Sequence, residues 1–234
     1  STQGVSSAAS DVYKRQPIGN LEDITLRAIR ILNESSLIAA EDTRHTKKLL
    51  MHYKITTPTI SYFEHNRFTR IPQILKHLNS GKNVAVVTDA GTPGISDPAY
   101  KLIRATIEED IKVESIPGAS ASITALSASG LPTDRFFFEG FLPHRKGRRK
   151  KLERISNIEA TTILYESPMR LIRTLNDILD YIGDRPAVVG RELTKIHEEY
   201  KRGKISELLV YFGKNKPRGE FVIMIGKDDP NVYF

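Results

Sequence analysis

The chain contains no cysteine. Disulfides, thiolate metal sites and thiol nucleophiles are therefore excluded. No apolar run approaches the roughly 18 residues that a membrane-spanning helix requires. The first sixteen residues, STQGVSSAASDVYKRQ, lack the apolar core of a secretory signal, so a cytoplasmic protein without membrane contact is expected. Histidines stand at 45, 52, 65, 77, 144 and 197, with no H-E-x-x-H pair among them. With no cysteine to assist, no metal site is expected. Neither G-x-G-x-x-G nor G-x-x-x-x-G-K-[ST] occurs, which leaves the chain without a standard nucleotide motif. G-x-S-x-G is missing too, so a serine nucleophile has no support.

What is present suits a globular protein. The 234 residues are 39% hydrophobic and 27% charged, enough for one large domain or two small ones. The net charge of +7 favours a polyanionic partner such as nucleic acid, although solubility alone also accounts for it.

Residues 1–16 are small and polar without periodicity, and read as a disordered or non-native leader. After them, strands are predicted at 37–41, 58–63, 83–88 and 112–116. Helices at about 23–34, 44–53, 67–79 and 98–109 separate them. Such alternation argues for an α/β fold with a largely parallel sheet. Asp97-Pro98 and Ser167-Pro168 each read as an N-cap followed by proline at the first helical position. Leu171, Leu175, Ile178, Leu179 and Ile182 give the second of these helices an apolar stripe. A second group begins near 119, with helices at 119–129, 147–158 and 205–212. Its strands are predicted at 135–141, 161–166, 186–191 and 220–226. The break falls at Pro117-Gly118, giving domains 17–117 and 118–234.

Four loops have unusual composition: PIGN (17–20), DAGTPGISDP (89–98), IPGAS (116–120) and YESP (165–168). In a parallel α/β sheet, ligands bind beyond the carboxyl ends of strands, where such loops gather. Glycine lets backbone approach a ligand, and proline fixes the loop beforehand. Pro117-Gly118, opening a helix, would offer N–H groups to a carboxylate or phosphate. Ordinary turn chemistry explains any one of these loops; four together favour a site. A basic run, HRKGRRKK (144–151), holds six Lys or Arg in eight residues. It either tracks phosphates or is a solvated turn. Carboxylates beside cations also end two strands, at Glu41-Asp42-Thr43-Arg44 and at Arg191-Glu192-Leu193-Thr194-Lys195. Structural ion pairing is the plain explanation there.

PIGNLEDIT, AAEDTRHT, DAGTPGISDP, IPGASASITALSASGLPTDRF, EGFLP, YESP and RELTK, read in order, resemble the bacterial small-subunit ribosomal RNA 2′-O-ribose methyltransferases of the tetrapyrrole methylase family. The resemblance runs from Pro17 to about Ile225. It implies two α/β domains of the tetrapyrrole methylase type with a cofactor cleft between them, a homodimer, and S-adenosyl-L-methionine-dependent methylation of a cytidine ribose in 16S rRNA, free or in the small ribosomal subunit. The cofactor residues carried over are Pro17, Ile18, Gly19 and Asn20; Asp89, Ala90, Gly91, Thr92 and Pro93; and Ile116, Pro117, Gly118, Ala119 and Ser120. Where the family has an apolar strand before PIGN, this chain has SDVYKRQ: either that strand is degraded, or residues 1–16 are foreign and it is missing.

Methyl transfer from a sulfonium is an in-line displacement that gains from alignment and from a general base. Candidate groups at strand ends are Asp42, Glu139, Glu166, Glu192 and Lys195. Glu166 is favoured as the base, with Arg191 or Lys195 orienting the RNA. Arg145, Lys146, Arg148, Arg149, Lys150 and Lys151 are the expected phosphate contacts. Two other readings stand beside this one: a precorrin-type tetrapyrrole methylase of the same fold, and a non-catalytic RNA-binding protein.

Overall fold

A computed structural model describes residues 10–14, 18–88, 99–214 and 216–233. The chain divides into two compact units, Ser1–Ser120 and Ala121–Phe234.

The N-terminal unit is a five-stranded parallel sheet in the order β3-β2-β4-β1-β5. Its strands are β1 (Ser10–Lys14), β2 (Leu37–Ala40), β3 (Thr59–Ser61), β4 (Val84–Val87) and β5 (Lys112–Ile116). Helices α1 (Leu26–Glu34), α2 (Thr43–His52), α3 (Arg67–Asn79) and α4 (Ala99–Glu108) connect them. Alternate residues of β2 and β4 feed two separate cores. Ile38, Ala40, Ala85 and Val87 meet Ala28, Leu32, Leu49 and Leu50 of α1 and α2. Ala39, Val84 and Val86 meet Ile74, Leu78 and Leu102 of α3 and α4. Strands β2 and β4 face a core on each side, which is why LIAA and VAVV lack polar alternation. Caps set the helix starts. The Thr25 hydroxyl accepts from the Ala28 N–H at 3.1 Å, and Asp42 accepts from the Arg44 N–H at 2.8 Å.

Strand β1 corrects the expectation of a disordered leader over part of its length. Residues 10–14 pair in parallel with β4 on one side and β5 on the other, so SDVYK occupies an interior position of the sheet. The polar sequence hid it, because two flanking ladders supply its hydrogen bonds whatever its side chains are. Residues 1–9 lie outside the described residues.

The C-terminal unit carries a mixed sheet, β6-β7-β10-β8-β9. Its strands are β6 (Phe136–Phe141), β7 (Thr161–Glu166), β8 (Pro186–Arg191), β9 (Glu199–Lys204) and β10 (Phe221–Ile225). Only β6 and β7 run parallel; the other neighbours are antiparallel. Helices α6 (Arg148–Ser156), α7 (Leu171–Tyr181) and α8 (Ile205–Gly213) cover one face. The other face receives α5 (Ala121–Ser127). There, Tyr165 Oη accepts from the Ser122 N–H at 3.2 Å, and Tyr200 Oη donates to the Thr124 carbonyl at 3.3 Å. The predicted stripe of α7 is real: Leu171, Leu175 and Ile178 are fully buried, worth about 1.5–3 kcal/mol each. The helix begins three residues later than Ser167-Pro168 suggests. Residues 168–170 form a turn in which the Ser167 carbonyl accepts from the N–H groups of Arg170 and Leu171. The second predicted N-cap, Asp97-Pro98, lies outside the described residues. Strand β9 was not expected, because EYKRGK is polar. It is an edge strand, where charged side chains discourage pairing with other chains.

Candidate active site

In the N-terminal unit the five strands end level. Ser61, Ala40, Val87, Lys14 and Ile116 are successive register partners across the sheet. The segments PIGN, DAGTPGISDP and IPGAS therefore leave the carboxyl ends of three adjacent strands, β1, β4 and β5. Pro17 and the whole of 89–98, including Asp89, Ala90, Gly91, Thr92 and Pro93, lie outside the described residues. Among the rest, Ile18 and Ile116 are core residues that anchor their loops. Gly19, Asn20 and Pro117 are exposed, and Gly118, Ala119 and Ser120 are half-buried. The Asn20 side chain accepts from the Glu22 N–H at 3.0 Å and starts a 3-10 turn, Leu21–Asp23. Tyr53 Oη donates to the Leu21 carbonyl at 2.8 Å and ties that turn to the end of α2. Exposed main chain on neighbouring strand ends fits a small ligand held largely by backbone groups.

One expectation about this edge is corrected. Pro117-Gly118 does not open a helix directly, because α5 begins at Ala121 and has only seven residues. The Ser122 N–H, one of the groups a bound anion would use, already donates to Tyr165.

In the C-terminal unit one edge of the sheet collects most of the other candidates. Glu166, Phe221, Arg191 and Glu199 are register partners in a row across β7, β10, β8 and β9. The ends of β6 and β7, the end of β8 and the start of β10 all lie there, bringing HRKGRRKK, YESP, RELTK and Arg218 to the same side. Glu166 and Arg191 are two strands apart, about 10 Å along the row. They do not form a single catalytic cluster.

Glu166 is not a presented base. Its side chain is 1% exposed. Oε1 accepts from the Ser167 N–H at 2.8 Å and the Ser167 hydroxyl at 3.4 Å. Oε2 accepts from the Thr174 hydroxyl at 2.6 Å and lies 3.2 Å from the Arg170 guanidinium. A carboxylate whose oxygens all have donors, sealed from solvent, is a structural anchor. The general-base expectation for Glu166 is therefore withdrawn.

Arg148 is corrected for the same reason. It is buried, and its guanidinium donates in three directions: to Asp177 at 2.6 Å, to the Thr174 hydroxyl at 2.7 Å and to the Pro143 carbonyl at 3.1 Å. Arg148, Thr174 and Glu166 thus form one chain of hydrogen bonds from the start of α6, through α7, to the end of β7. Arg170 extends it to the Leu142 carbonyl at 2.6 Å. Sequence reasoning passed over Thr174, Asp177 and Arg170. A signal was available: Arg148 lies four and seven residues before Leu152 and Ile155, on the buried stripe of α6.

The rest of the basic run points outward. Arg145, Lys146 and Lys150 are exposed, with no side-chain partner among the described residues. Arg149 is exposed and pairs with Glu153 one turn on, at 2.7 Å. Lys151 is paired with Glu139, the residue skipped by the register shift between Phe138 and Gly140 in β6. Gly147, at φ 80°, makes the left-handed turn that starts α6. Asp42 is the cap of α2, where the Arg44 side chain and N–H hold its carboxyl well below the usual carboxylate range.

Arg191 and Lys195 stand at the end of β8, each partly exposed. Arg191 Nε donates to the Arg218 carbonyl at 2.9 Å, and its NH1 lies 3.5 Å from Glu199. Lys195 Nζ sits between Glu192 at 3.0 Å and Glu220 at 2.9 Å. The turn holding them has Glu192 at φ 50° and Thr194 at φ 65°, a costly conformation for a β-branched residue. Gly219, at φ 92°, makes room for it, since a Cβ there would come within 2.6 Å of the Glu192 carboxyl group.

Desolvation is the largest influence on both Lys195 and Glu192 and opposes charging. For Lys195 the hydrogen bonds and charges of Glu220 and Glu192 outweigh it, and the pKa is raised. For Glu192 the Glu220 N–H and the Lys195 ammonium outweigh it, and the pKa is lowered. A lowered carboxyl stabilises the fold above its unfolded pKa, near 4.3, and that stability is lost as pH falls through the folded value. A raised ammonium stabilises below its unfolded pKa, near 10.4, and its contribution is lost as pH rises through the folded value. The turn should hold unchanged between about pH 4.3 and 10.4. Carbon NMR of the Glu192 carboxyl is expected to show a midpoint below about 4.3. In Lys195→Met the midpoint should move up; an unmoved midpoint would show that Lys195 does not support this carboxylate.

The fold and its loops define a class of protein. The chain belongs to the family described as Tetrapyrrole (Corrin/Porphyrin) Methylases, whose profile matches residues 16–209, and it is a methyltransferase. A Synechocystis protein named Ribosomal RNA small subunit methyltransferase I is 51% identical over 216 residues, covering 92% of this chain and 77% of that protein. Its Thermotoga maritima namesake is 49% identical over 213 residues, covering 91% and 96%. Among solved structures, the uroporphyrin-III C-methyltransferase of Thermus thermophilus, complexed with S-adenosyl homocysteine, matches with a TM-score of 0.66 and 18% identity, covering 94% of this chain and 97% of that one. The expected α/β fold of the tetrapyrrole methylase type is thereby borne out. No helix among the described residues is long and apolar enough to cross a membrane, and no group of metal-ligating side chains occurs among them.

Proposed function

We propose that this protein transfers a methyl group from S-adenosyl-L-methionine to the 2′-hydroxyl of a cytidine ribose in small-subunit ribosomal RNA. What carries the reading is the likeness, at about half identity over nine-tenths of the chain, to proteins named for methylating that RNA. The fold by itself does not choose between RNA and a tetrapyrrole, since one architecture hosts many acceptors. The outward cations Arg145, Lys146, Arg149 and Lys150 favour the polyanion. The resemblance behind this reading also carries a homodimer, and an rRNA acceptor fits work in the cytoplasm.

S-adenosyl-L-methionine supplies, when bound, a sulfonium-activated methyl group. Gly19, Asn20 and Pro117 to Ser120 would hold it, together with Pro17 and Asp89 to Pro93. Alignment supplies much of the acceleration in an in-line displacement. The described residues serve it by fixing their loops through Ile18, Ile116 and Tyr53. Arg191 and Lys195 orient the acceptor strand. No residue is assigned as general base, because the favoured carboxylate is sealed inside the C-terminal unit.

The test is transfer from methyl-labelled S-adenosyl-L-methionine. Small ribosomal subunits lacking the modification and an anionic tetrapyrrole are offered separately. Label is expected in the RNA, recovered as 2′-O-methylcytidine after nuclease digestion. Label in the tetrapyrrole alone would replace this reading by the precorrin-type one, and label in neither would leave a non-catalytic RNA-binding protein.

A further inference from the structure

Beside the end of β8 lies a cavity of about 80 Å³. Arg191, Lys216, Arg218, Glu199 and Tyr211 line it, over a floor of Phe212 and Phe221. Three cations and one carboxylate therefore share its lining. That carboxylate is already engaged: Glu199 accepts from the Tyr211 hydroxyl and faces Arg191 NH1 at 3.5 Å. Arg191 keeps NH2 without a partner among the described residues, and the side chains of Lys216 and Arg218 have none there either. Lys201 adds a fourth positive charge, its Nζ 4.3 Å from the centre of the Tyr211 ring. Gathering like charges around one small cavity is unfavourable until an anion enters. Lys216 follows the end of α8, where a cation also complements the helix carbonyls. Arg218 has no such duty, because it precedes β10.

The anion's class follows from where the cavity sits. It opens on the same sheet edge as the 144–151 run, with β6 and β8 three strands apart, about 14 Å. A chain of phosphates crossing that edge would meet both groups of cations, whereas a lone small anion would engage one. We infer that Arg191, Lys216 and Arg218 form a second phosphate-binding site that holds the backbone of single-stranded RNA as it crosses this edge. The inference rests on the RNA reading above and extends it to a second anchoring point. The Tyr211 ring, half-shielded by Lys201, offers a flat face to an adjoining base.

The experiment is a titration of the full chain with a fluorescent single-stranded oligoribonucleotide at several salt concentrations. Wild type is compared with Lys216→Ala/Arg218→Ala. Both side chains are exposed and unbonded, so the unfolding midpoint should be unaltered, which checks the fold. Two lost phosphate contacts should reduce the slope of log affinity against log salt by about 1.4 and, over the decade from 1 M salt, weaken binding by about 25-fold at 0.1 M salt. Should wild type bind while the double variant keeps its affinity and slope, the second site is wrong and the RNA reading survives. If wild type does not bind RNA at all, both are overturned.

Discussion

Replacing Arg148 by methionine is expected to destabilise the C-terminal unit by about 3 kcal/mol, the largest loss from any single change in the basic run. Methionine approximates the length of the side chain but removes every donor. Asp177, Thr174 and the Pro143 carbonyl then lose their shared partner. Breaking a buried pair on one side usually costs about 3–5 kcal/mol. The lower end applies because the Asp177 side chain remains 23% exposed and Arg173 lies 3.9 Å away, ready to share its charge. Hydrogen exchange at amides of β7 and β10 measures the C-terminal unit by itself. About 3 kcal/mol corresponds to protection lower by roughly a hundredfold. Arg148→Lys should fall between wild type and methionine, since an ammonium can keep Asp177 but cannot span the planar three-way geometry. A solvated Arg148 would give a change within about 0.5 kcal/mol for either variant. That result would return the residue to the RNA-facing set.

Sequence pattern revealed the elements that bury apolar faces and missed those whose reasons lie elsewhere. Strands β4, β7 and β8 appear where VAVV, TTILYE and PAVVGR were expected, because burial demands apolar residues there. Strand β1 is polar and held by its neighbours' ladders; β9 is polar because it is an edge. Neither leaves a hydrophobic signature. The same limit governs the site. Composition marked the loops at strand ends, and register supplies what composition lacks, the level row from Ser61 to Ile116. Charge marked the basic run but could not separate Arg148 from Arg149, since adjacent helical residues point about 100° apart and only packing decides which is buried. Glu166 was misread because a carboxylate at a strand end looks alike whether it faces a ligand or a threonine. The hydroxyl that settles it comes from Thr174, eight residues away on α7.

The second large effect concerns affinity. Replacing Arg145, Lys146, Arg149 and Lys150 together by alanine is expected to weaken RNA binding by roughly 10²–10³-fold at 0.1 M salt. A phosphate contact to single-stranded nucleic acid contributes about 0.7 to the slope of log affinity against log salt. Four contacts, over the decade from 1 M salt, where counterion release no longer helps, to 0.1 M, approach three decades of affinity. The slope itself should fall by about 2 to 3. Arg149 belongs in the set although it pairs with Glu153, because an exposed ion pair one turn apart is worth only about 0.3–0.5 kcal/mol and opens readily for a phosphate. Lys151 and Arg148 are left intact because Glu139 and Asp177 hold them. The four side chains have no core contacts, so the unfolding midpoint should hardly move. That separates this variant from Arg148→Met, which should lose stability first and affinity only as a consequence. An unchanged slope in the quadruple variant, with RNA still bound, would place the phosphate track elsewhere on the molecule and reduce 144–151 to a charged turn.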